Sequence, residues 1–150
     1  MPIHVELVTQ AEKIFDEPEA DIVMVPAVEG EMGVLPNHAP VLTTMGYGEL
    51  VVRKGSAEER FAIYGGVVDV RPDKVVVLAD LAESSFALDM QEAQAARERA
   101  QQLLVEGPPG ADYRQAELAL RRAHLAVRIS QKIRSRGSML RILDEDANEA

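Results

Sequence analysis

The spacing of apolar residues changes near residue 85, and this change divides the chain into two kinds of structure. In the first part, apolar residues alternate along short runs such as Ile3, Val5 and Leu7, and Gly or Pro separates the runs. In the second part, apolar residues from Met90 onward recur at helical spacing. We therefore predict an α+β chain in two segregated parts: an N-terminal all-β sandwich or flattened barrel of about ten short strands, and a C-terminal antiparallel two-helix hairpin.

The predicted β-sandwich domain covers residues 1–84. The Gly-containing stretches 46–48 and 65–66 are predicted as turns, and residues 54–59 as a polar connector between strands. The predicted strands lie at residues 3–8, 13–15, 21–26, 33–35, 41–45, 49–53, 60–64, 67–70 and 74–78.

The predicted helical hairpin covers residues 85–137. Asp89 is a suitable N-cap for the first helix, which residues 107–110 should end, and Asp112 is a suitable N-cap for a second helix ending near Gly137. Both helices present mainly alanine on one face, which permits close antiparallel packing but buries little apolar area. We therefore expect a weakly docked hairpin that can open. Residues 138–150 are predicted as a frayed acidic tail, and two alternatives stay open for its apolar pairs at 139–140 and 142–143: extension of the helix or contact with a partner.

Charge is distributed unevenly along the chain, whose formal net charge is −9. Residues 113–141 hold eight Lys or Arg and one acidic residue, Glu117, so intrahelical ion pairs do not explain so many cations. The acidic remainder would repel nucleic acid, and an acidic protein surface is the better partner. The cations of the second helix form the predicted basic set: Arg121, Arg122, Arg128, Lys132, Arg134 and Arg136.

Residues 29–40 form the most unusual stretch, with two Gly, two Pro, two carboxylates and one His. Gly and Pro fix backbone shape, so we predict a shaped loop containing one short strand. A metal site at Glu29, Glu31 and His38 is disfavoured because no second His is near. The chain has three scattered histidines, no cysteine and no nucleophile motif, so the sequence indicates no catalysis.

The N-terminal segment begins as a strand, and no apolar run approaches the roughly 20 residues that span a bilayer. The sequence therefore predicts a soluble chain that is not exported.

Three motifs resemble those of the epsilon subunit of F-type ATP synthases, which corresponds to the mitochondrial delta subunit. Residues 29–43 (EGEMGVLPNHAPVLT) carry the most specific motif, and residues 64–70 (YGGVVDV) and 75–80 (VVVLAD) follow at matching spacing. The resemblance implies a non-catalytic subunit of the central stalk, without cofactor, at the cytoplasmic face of a bacterial membrane. Its sandwich would contact the gamma subunit and the c-ring.

The resemblance also implies a mobile hairpin. Folded down it would permit ATP hydrolysis, and extended along gamma it would block hydrolysis, with the basic set facing acidic segments of the catalytic beta subunits. The loop residues expected to contact the polar loops of the c-ring are Glu29, Gly30, Glu31, Gly33, Pro36 and His38.

Some members of this family bind ATP on the folded hairpin. Here Leu88, Asp89 and Ala93 match the nucleotide motif, and Arg122 is a further candidate phosphate contact. Glu92 stands where the motif has arginine, and its charge should oppose a triphosphate. Two alternatives therefore remain open at this point: a stand-alone adaptor, or a nucleotide-sensing module, each using the basic second helix.

Overall fold

A computed structural model of the chain describes residues 2–107, 113–136 and 140–143. Within these ranges it contains eight strands, one short 3-10 helix (Ser85–Ala87) and two α-helices. The strands are β1 (Ile3–Val8), β2 (Lys13–Ala20), β3 (Ile22–Ala27), β4 (Gly30–Val34), β5 (Val41–Lys54), β6 (Ala57–Val70), β7 (Lys74–Ala79) and β8 (Ala82–Ser84), and the helices are α1 (Met90–Glu106) and α2 (Tyr113–Arg136). The predicted segregation of strands and helices is confirmed.

Two long strands build both layers of the sandwich. The main path of the sheet is β2-β1-β7-β6-β5-β3-β4, and β8 pairs with β6. The first part of β5 and the last part of β6 pair with each other, and there β6 also pairs with β7. The last part of β5 and the first part of β6 pair again, and these parts carry β3 and β8. The apolar core, which includes Leu7, Val77, Leu50 and Phe61, lies between the two layers.

The predicted turns at residues 46–48 and 65–66 are wrong, because these glycines lie inside β5 and β6. Gly65 and Gly66 have φ angles of 84° and 134°, which bend β6 without ending it. Gly48 allows close approach of β3, since a Cβ there would lie 2.5 Å from the Cβ of Pro26. Because each long strand bends where a turn was predicted, the described residues form eight strands, compared with the predicted number of about ten.

Gly66 offers a direct test of this bend. A Cβ at Gly66 would overlap the carbonyl oxygen of Leu78, and its φ of 134° is strained for any L side chain. We expect Gly66→Ala to lower the free energy of unfolding of the sandwich by about 3 kcal/mol or more, measured by denaturant titration. Gly46→Ala is the matched control: nothing lies within 4 Å of its added Cβ. It should change stability by less than about 1 kcal/mol, and equal effects would contradict this explanation of the bend.

The predicted polar connector at residues 54–59 contributes mostly to β5 and β6. Lys54 pairs with Ala57 across a two-residue turn, and the side chain of Glu59 is fully buried. Arg60 is only 2% exposed and donates to the carboxylates of Glu49 and Glu58. Each of these buried charges has an oppositely charged neighbour, as burial of a charge requires.

Local sequence explains the start of α1. The Asp89 carboxylate accepts hydrogen bonds from the backbone N–H groups of Gln91 and Glu92, at 2.9 and 3.3 Å, as predicted for its N-cap. Gly107 ends α1, also as predicted. The predicted cap at Asp112 and stop at Gly137 lie outside the described residues. The same holds for most of the predicted tail, but residues 140–143 are described and contact the sandwich rather than fraying.

Candidate functional site

The loop that the sequence singled out lies at one end of the sandwich and has a fixed backbone. Val28 and Glu29 form the turn between β3 and β4, and Gly30 follows with a φ of 136°. After β4, Asn37 has a φ of 68° and its N–H donates to Pro72 O at 2.8 Å. The predicted short strand between two turns is therefore confirmed in form, although it begins at Gly30 instead of Gly33.

The chemistry of this end is acidic and apolar together. Glu29 and Glu31 are exposed, and their carboxylates make no hydrogen bond or ion pair with any other residue that the structure describes. Three large apolar side chains of the same stretch of chain are also exposed: Val28 (60%), Leu35 (58%) and Leu42 (70%). The sequence alone did not indicate that these apolar residues belong to the site. We call residues 28–42 the loop surface.

The loop surface does not form a metal site within the described residues. The Nδ1 of His38 lies 2.8 Å from the carbonyl oxygen of its neighbour Ala39, so the backbone already engages that ring nitrogen. The described residues do bring His4, Glu6 and Asp16 together, with ligand atoms within 4.8 Å of one another. Lys13 and Lys74 already contact Glu6, at 3.5 and 3.3 Å, so this cluster has its own cations.

The two helices pack antiparallel through small residues. Ala93, near the start of α1, lies in one apolar cluster with Ala126 and Val127 of α2. At the opposite end, the hydroxyl of Tyr113 lies 3.4 Å from the carbonyl oxygen of Gly107. Alanine-to-alanine packing leaves large apolar residues outside the contact, and Leu103 and Leu118 remain 46% and 38% exposed.

The hairpin docks on the sandwich through a second apolar cluster that is separate from the sandwich core. Leu125 and Ile129 of α2 pack against Ala62 and Tyr64 of β6, with Tyr47 of β5 at the edge. All four of the first-named residues are at most 3% exposed. Because so few side chains are buried there, the contact stabilises the docked position of the hairpin only modestly. The hairpin does not become part of the core between the sheets. We call this cluster the docking interface.

Charged and aromatic side chains surround the docking interface. The guanidinium of Arg121 lies 4.9 Å from the centre of the Tyr47 ring, and that of Arg122 lies 5.5 Å from the Tyr64 ring. Tyr64 donates its hydroxyl to Glu83 at 3.0 Å. Burial first, and then the charge of Glu83, raise the pKa of the Tyr64 phenol well above its ordinary value, so it remains a hydrogen-bond donor.

Two carboxylates of the sandwich form ion pairs with cations of α2. Glu49 contacts Lys132 at 3.4 Å, and Glu58 contacts Arg136 at 3.8 Å. Burial raises the pKa of the Glu58 carboxyl, but hydrogen bonds and charges from Arg60 and Arg53 outweigh burial and leave the pKa below its ordinary value. Glu58 therefore stays ionised and attractive to Arg136 at neutral pH.

The structure divides the predicted basic set into two groups. Arg121, Arg122, Lys132 and Arg136 contact the sandwich as described above. Arg128 lines a cleft of about 710 Å³ between α2 and the sandwich. Arg128 and Arg134 are exposed and make no ion pair or hydrogen bond with another described residue.

The nucleotide-motif residues do come together, around a cavity of about 570 Å³ between the hairpin and the sandwich. Its lining includes Leu88, Asp89, Ala93 and Arg122 from the predicted set. Arg99 also lines the cavity and adds a second cation that sequence reasoning missed. Three carboxylates oppose these two cations: Glu83, Asp89 and Glu92. Arg99 lies two helical turns after Glu92, on the same face of α1, and this spacing could have indicated from the sequence that Arg99 lines the cavity.

Comparison with known proteins identifies the family. The beta-sandwich domain of the ATP synthase delta/epsilon chain matches residues 2–85, and the long alpha-helix domain of the same chain matches residues 87–130. The chain belongs to the ATP synthase delta/epsilon family. The ATP synthase epsilon chain of Moorella thermoacetica is 44% identical over 122 residues, which are 81% of this chain and 90% of that one. The epsilon chain of Herpetosiphon aurantiacus is 40% identical over 136 residues, which are 91% of this chain and 99% of that one.

Solved structures agree with this membership of the delta/epsilon family. One chain in the cryo-EM structure of the Euglena gracilis mitochondrial ATP synthase (OSCP, F1 and c-ring) superposes with a TM-score of 0.73 at 26% identity. The match covers 82% of this chain and 78% of that one. A chain from the central stalk and c-ring of the Tetrahymena thermophila enzyme shares the fold, with a TM-score of 0.53 at 15% identity.

Membership of the delta/epsilon family confirms the resemblance drawn from residues 29–43. It also confirms the prediction of an epsilon-type subunit of the ATP synthase, a membrane-bound complex, over a stand-alone adaptor or an independent enzyme. Neither α-helix of the described chain has the length and apolar character needed to cross a bilayer.

Proposed function

We propose that this chain couples the rotor of a bacterial ATP synthase to its soluble sector and regulates ATP hydrolysis through its hairpin. The observation that carries this proposal is the separation of the docking interface from the sandwich core. A unit that docks through its own small cluster can leave without unfolding the domain beneath it. We take residues 1–84 as the rotor-binding unit and residues 85–137 as the moving unit.

The loop surface suits attachment to the c-ring. Its two carboxylates have no partner among the described residues, and the turns on either side hold the backbone in place. Carboxylates presented in this way can make charge-assisted hydrogen bonds to basic side chains on the polar loops of the c-ring. The exposed Val28, Leu35 and Leu42 supply apolar area for gamma beside them. This attachment would hold the chain at the cytoplasmic face of the membrane.

The basic set gives the hairpin a second binding partner. In the folded position, Lys132 and Arg136 face Glu49 and Glu58 of the sandwich. In an extended position, the same cations together with Arg128 and Arg134 would face acidic segments of the catalytic beta subunits. The hairpin would then exchange one set of carboxylates for another, so the two positions can lie close in free energy.

The loop assignment predicts the effect of a charge reversal at Glu31. We expect Glu31→Lys to reduce proton-coupled ATP synthesis in inverted membrane vesicles to less than about a third of wild type, because a lysine would face the basic side chains of the c-ring. Hydrolysis by the detached soluble sector should not change. Glu19→Lys, which reverses another exposed carboxylate on β2, is the matched control. Normal synthesis with Glu31→Lys would count against the loop assignment.

The cavity lined by Asp89, Arg99 and Arg122 makes a nucleotide the second candidate ligand to test. Three carboxylates in its lining outnumber the two cations, and Glu92 would lie near a triphosphate. We expect isothermal calorimetry of the purified chain to show no saturable heat with millimolar ATP, and Glu92→Arg to produce it. Saturation with the wild-type chain would show that Glu92 does not prevent binding and would support the nucleotide-sensing alternative.

A further inference from the structure

Residues 140–143 return to the sandwich after the end of α2. The backbone N–H of Glu58 donates to the carbonyl oxygen of Leu140 at 3.0 Å, and Arg141 forms an isolated parallel bridge with Glu58. This short segment therefore adds to the start of β6 by main-chain hydrogen bonding, in the manner of an extra strand.

Side chains fix the segment more strongly than the backbone does. Ile142 is 0% exposed and belongs to the core cluster of the sandwich, together with Phe61 and Ala57. The Arg141 guanidinium donates through Nε to the Glu59 carboxylate at 3.1 Å, and Glu59 is itself 0% exposed. The same guanidinium lies 4.2 Å from the centre of the Phe86 ring, which adds a cation–π contact.

Burial of Glu59 makes this contact an all-or-none arrangement. The second oxygen of Glu59 lies 3.4 Å from the backbone N–H of Leu143, so both oxygens depend on the segment. Withdrawal of Arg141 would leave a buried carboxylate without its cation, which is far less favourable than the loss of a surface ion pair. Ile142 and Arg141 therefore leave the sandwich together or stay together.

The position of the segment in the chain connects it to the hairpin. α2 ends at Arg136, and only residues 137–139 separate that helix from Leu140. Four residue steps span at most about 14 Å of fully extended chain. A movement that carries Arg136 farther than this from Leu140 must pull the segment out of its groove. The helical domain of the family matches residues 87–130, so the segment lies beyond the part that defines the family.

We propose that residues 140–143 are a clasp that holds the hairpin in its folded position, so that opening requires release of Ile142 and of the Arg141–Glu59 pair. The clasp rests on the proposed function for its biological consequence. It adds a barrier that the docking interface alone does not supply, and it biases this chain toward the folded hairpin that permits hydrolysis.

Hydrogen–deuterium exchange of the purified full chain tests the clasp. Ile142→Ala removes the anchor, whereas Leu140→Ala is the matched control, because the Leu140 side chain is 56% exposed and only its carbonyl is used. We expect Ile142→Ala to accelerate exchange of α2 amides at least about tenfold while β1 and β7 stay protected. Truncation after residue 139 should do the same, and truncation after residue 143 should not.

Two results would overturn the clasp. Unchanged α2 exchange in both Ile142→Ala and the chain truncated after residue 139 would show that the segment holds nothing. Equal acceleration in α2, β1 and β7 would show that Ile142 stabilises the sandwich as a whole and has no specific hold on the hairpin. Both results come from the isolated chain and leave the inhibitory role of the hairpin, measured by hydrolysis in the assembled sector, to be judged separately.

Discussion

Removal of residues 87–150 should raise ATP hydrolysis by the isolated soluble sector. The deletion leaves β1 to β8 in place and removes both helices with the basic set. If the extended hairpin stops about two thirds of the molecules at a given time, its loss raises the mean rate about threefold. The measurement is steady-state ATPase activity of the reconstituted sector with full-length or shortened chain.

The deletion needs a control for the acidic end of the chain and for assembly. A chain that ends at residue 143 lacks the acidic run of residues 144–150 but keeps the hairpin, and its hydrolysis rate should equal that of the full chain. Equal retention of the shortened and full chains on gamma, measured by co-purification, shows that assembly is intact. Unchanged hydrolysis after deletion, with assembly intact, would remove the inhibitory role of the hairpin.

A substitution inside the docking interface should have the opposite effect. Leu125 is 3% exposed and packs in the docking interface against β6. Leu125→Asp would bury a carboxylate among apolar side chains, and a penalty of about 3 kcal/mol for that burial shifts the folded-to-extended ratio of the hairpin more than a hundredfold. We expect hydrolysis by the reconstituted sector to fall, because more hairpins leave the sandwich and extend toward the catalytic subunits.

Leu118→Asp is the control for Leu125→Asp. It introduces the same charge into the same helix at a residue that is 38% exposed and lies outside the docking interface. Hydrolysis with Leu118→Asp should match wild type within about twofold. The midpoint of thermal unfolding of the sandwich should not change with Leu125→Asp, because Leu125 does not belong to the sandwich core. If Leu125→Asp raised hydrolysis, the docked position of the hairpin would not be the one that permits ATP hydrolysis.

Much of the fold was predictable because it rests on local periodicity. The alternation of β1 and the helical spacing of α1 and α2 each follow from one buried face, and the cap at Asp89 follows from a short polar side chain before an apolar stripe. The loop at residues 29–40 was predictable from composition, since Gly, Pro and Asn dictate backbone shape locally.

Features that depend on distant partners were not predictable from the sequence. Gly65 and Gly66 are compatible with a turn or with a bend, and only the packing of β6 against β7 selects the bend. Glu59 and Arg60 are charged, so the sequence predicts them to be exposed. They are buried because Arg141 pairs with Glu59 and Glu49 pairs with Arg60. Residues 140–143 are too short to show a periodicity, so their apolar side chains signalled a contact but not that Ile142 enters the sandwich core.

The candidate site divides in the same way. The family resemblance pointed to Leu88, Asp89, Ala93 and Arg122 as candidate nucleotide contacts, and these four residues line one cavity. The basic set was visible as a charge excess. Its division into cations that contact the sandwich and cations without a partner among the described residues depends on the positions of Glu49 and Glu58. The exposed Leu35 and Leu42 resemble core residues in the sequence, and only the structure shows them at the surface.

The most direct test of a separable, inhibitory hairpin is the distance between two spin labels in the assembled soluble sector. The chain has no cysteine, so Ser56→Cys in the β5–β6 turn and Ser135→Cys in α2 provide labelling sites in this subunit. Double electron–electron resonance should show a short and a long distance, and the long fraction should equal the inhibited fraction of the enzyme. A single short distance in fully inhibited enzyme would contradict the account.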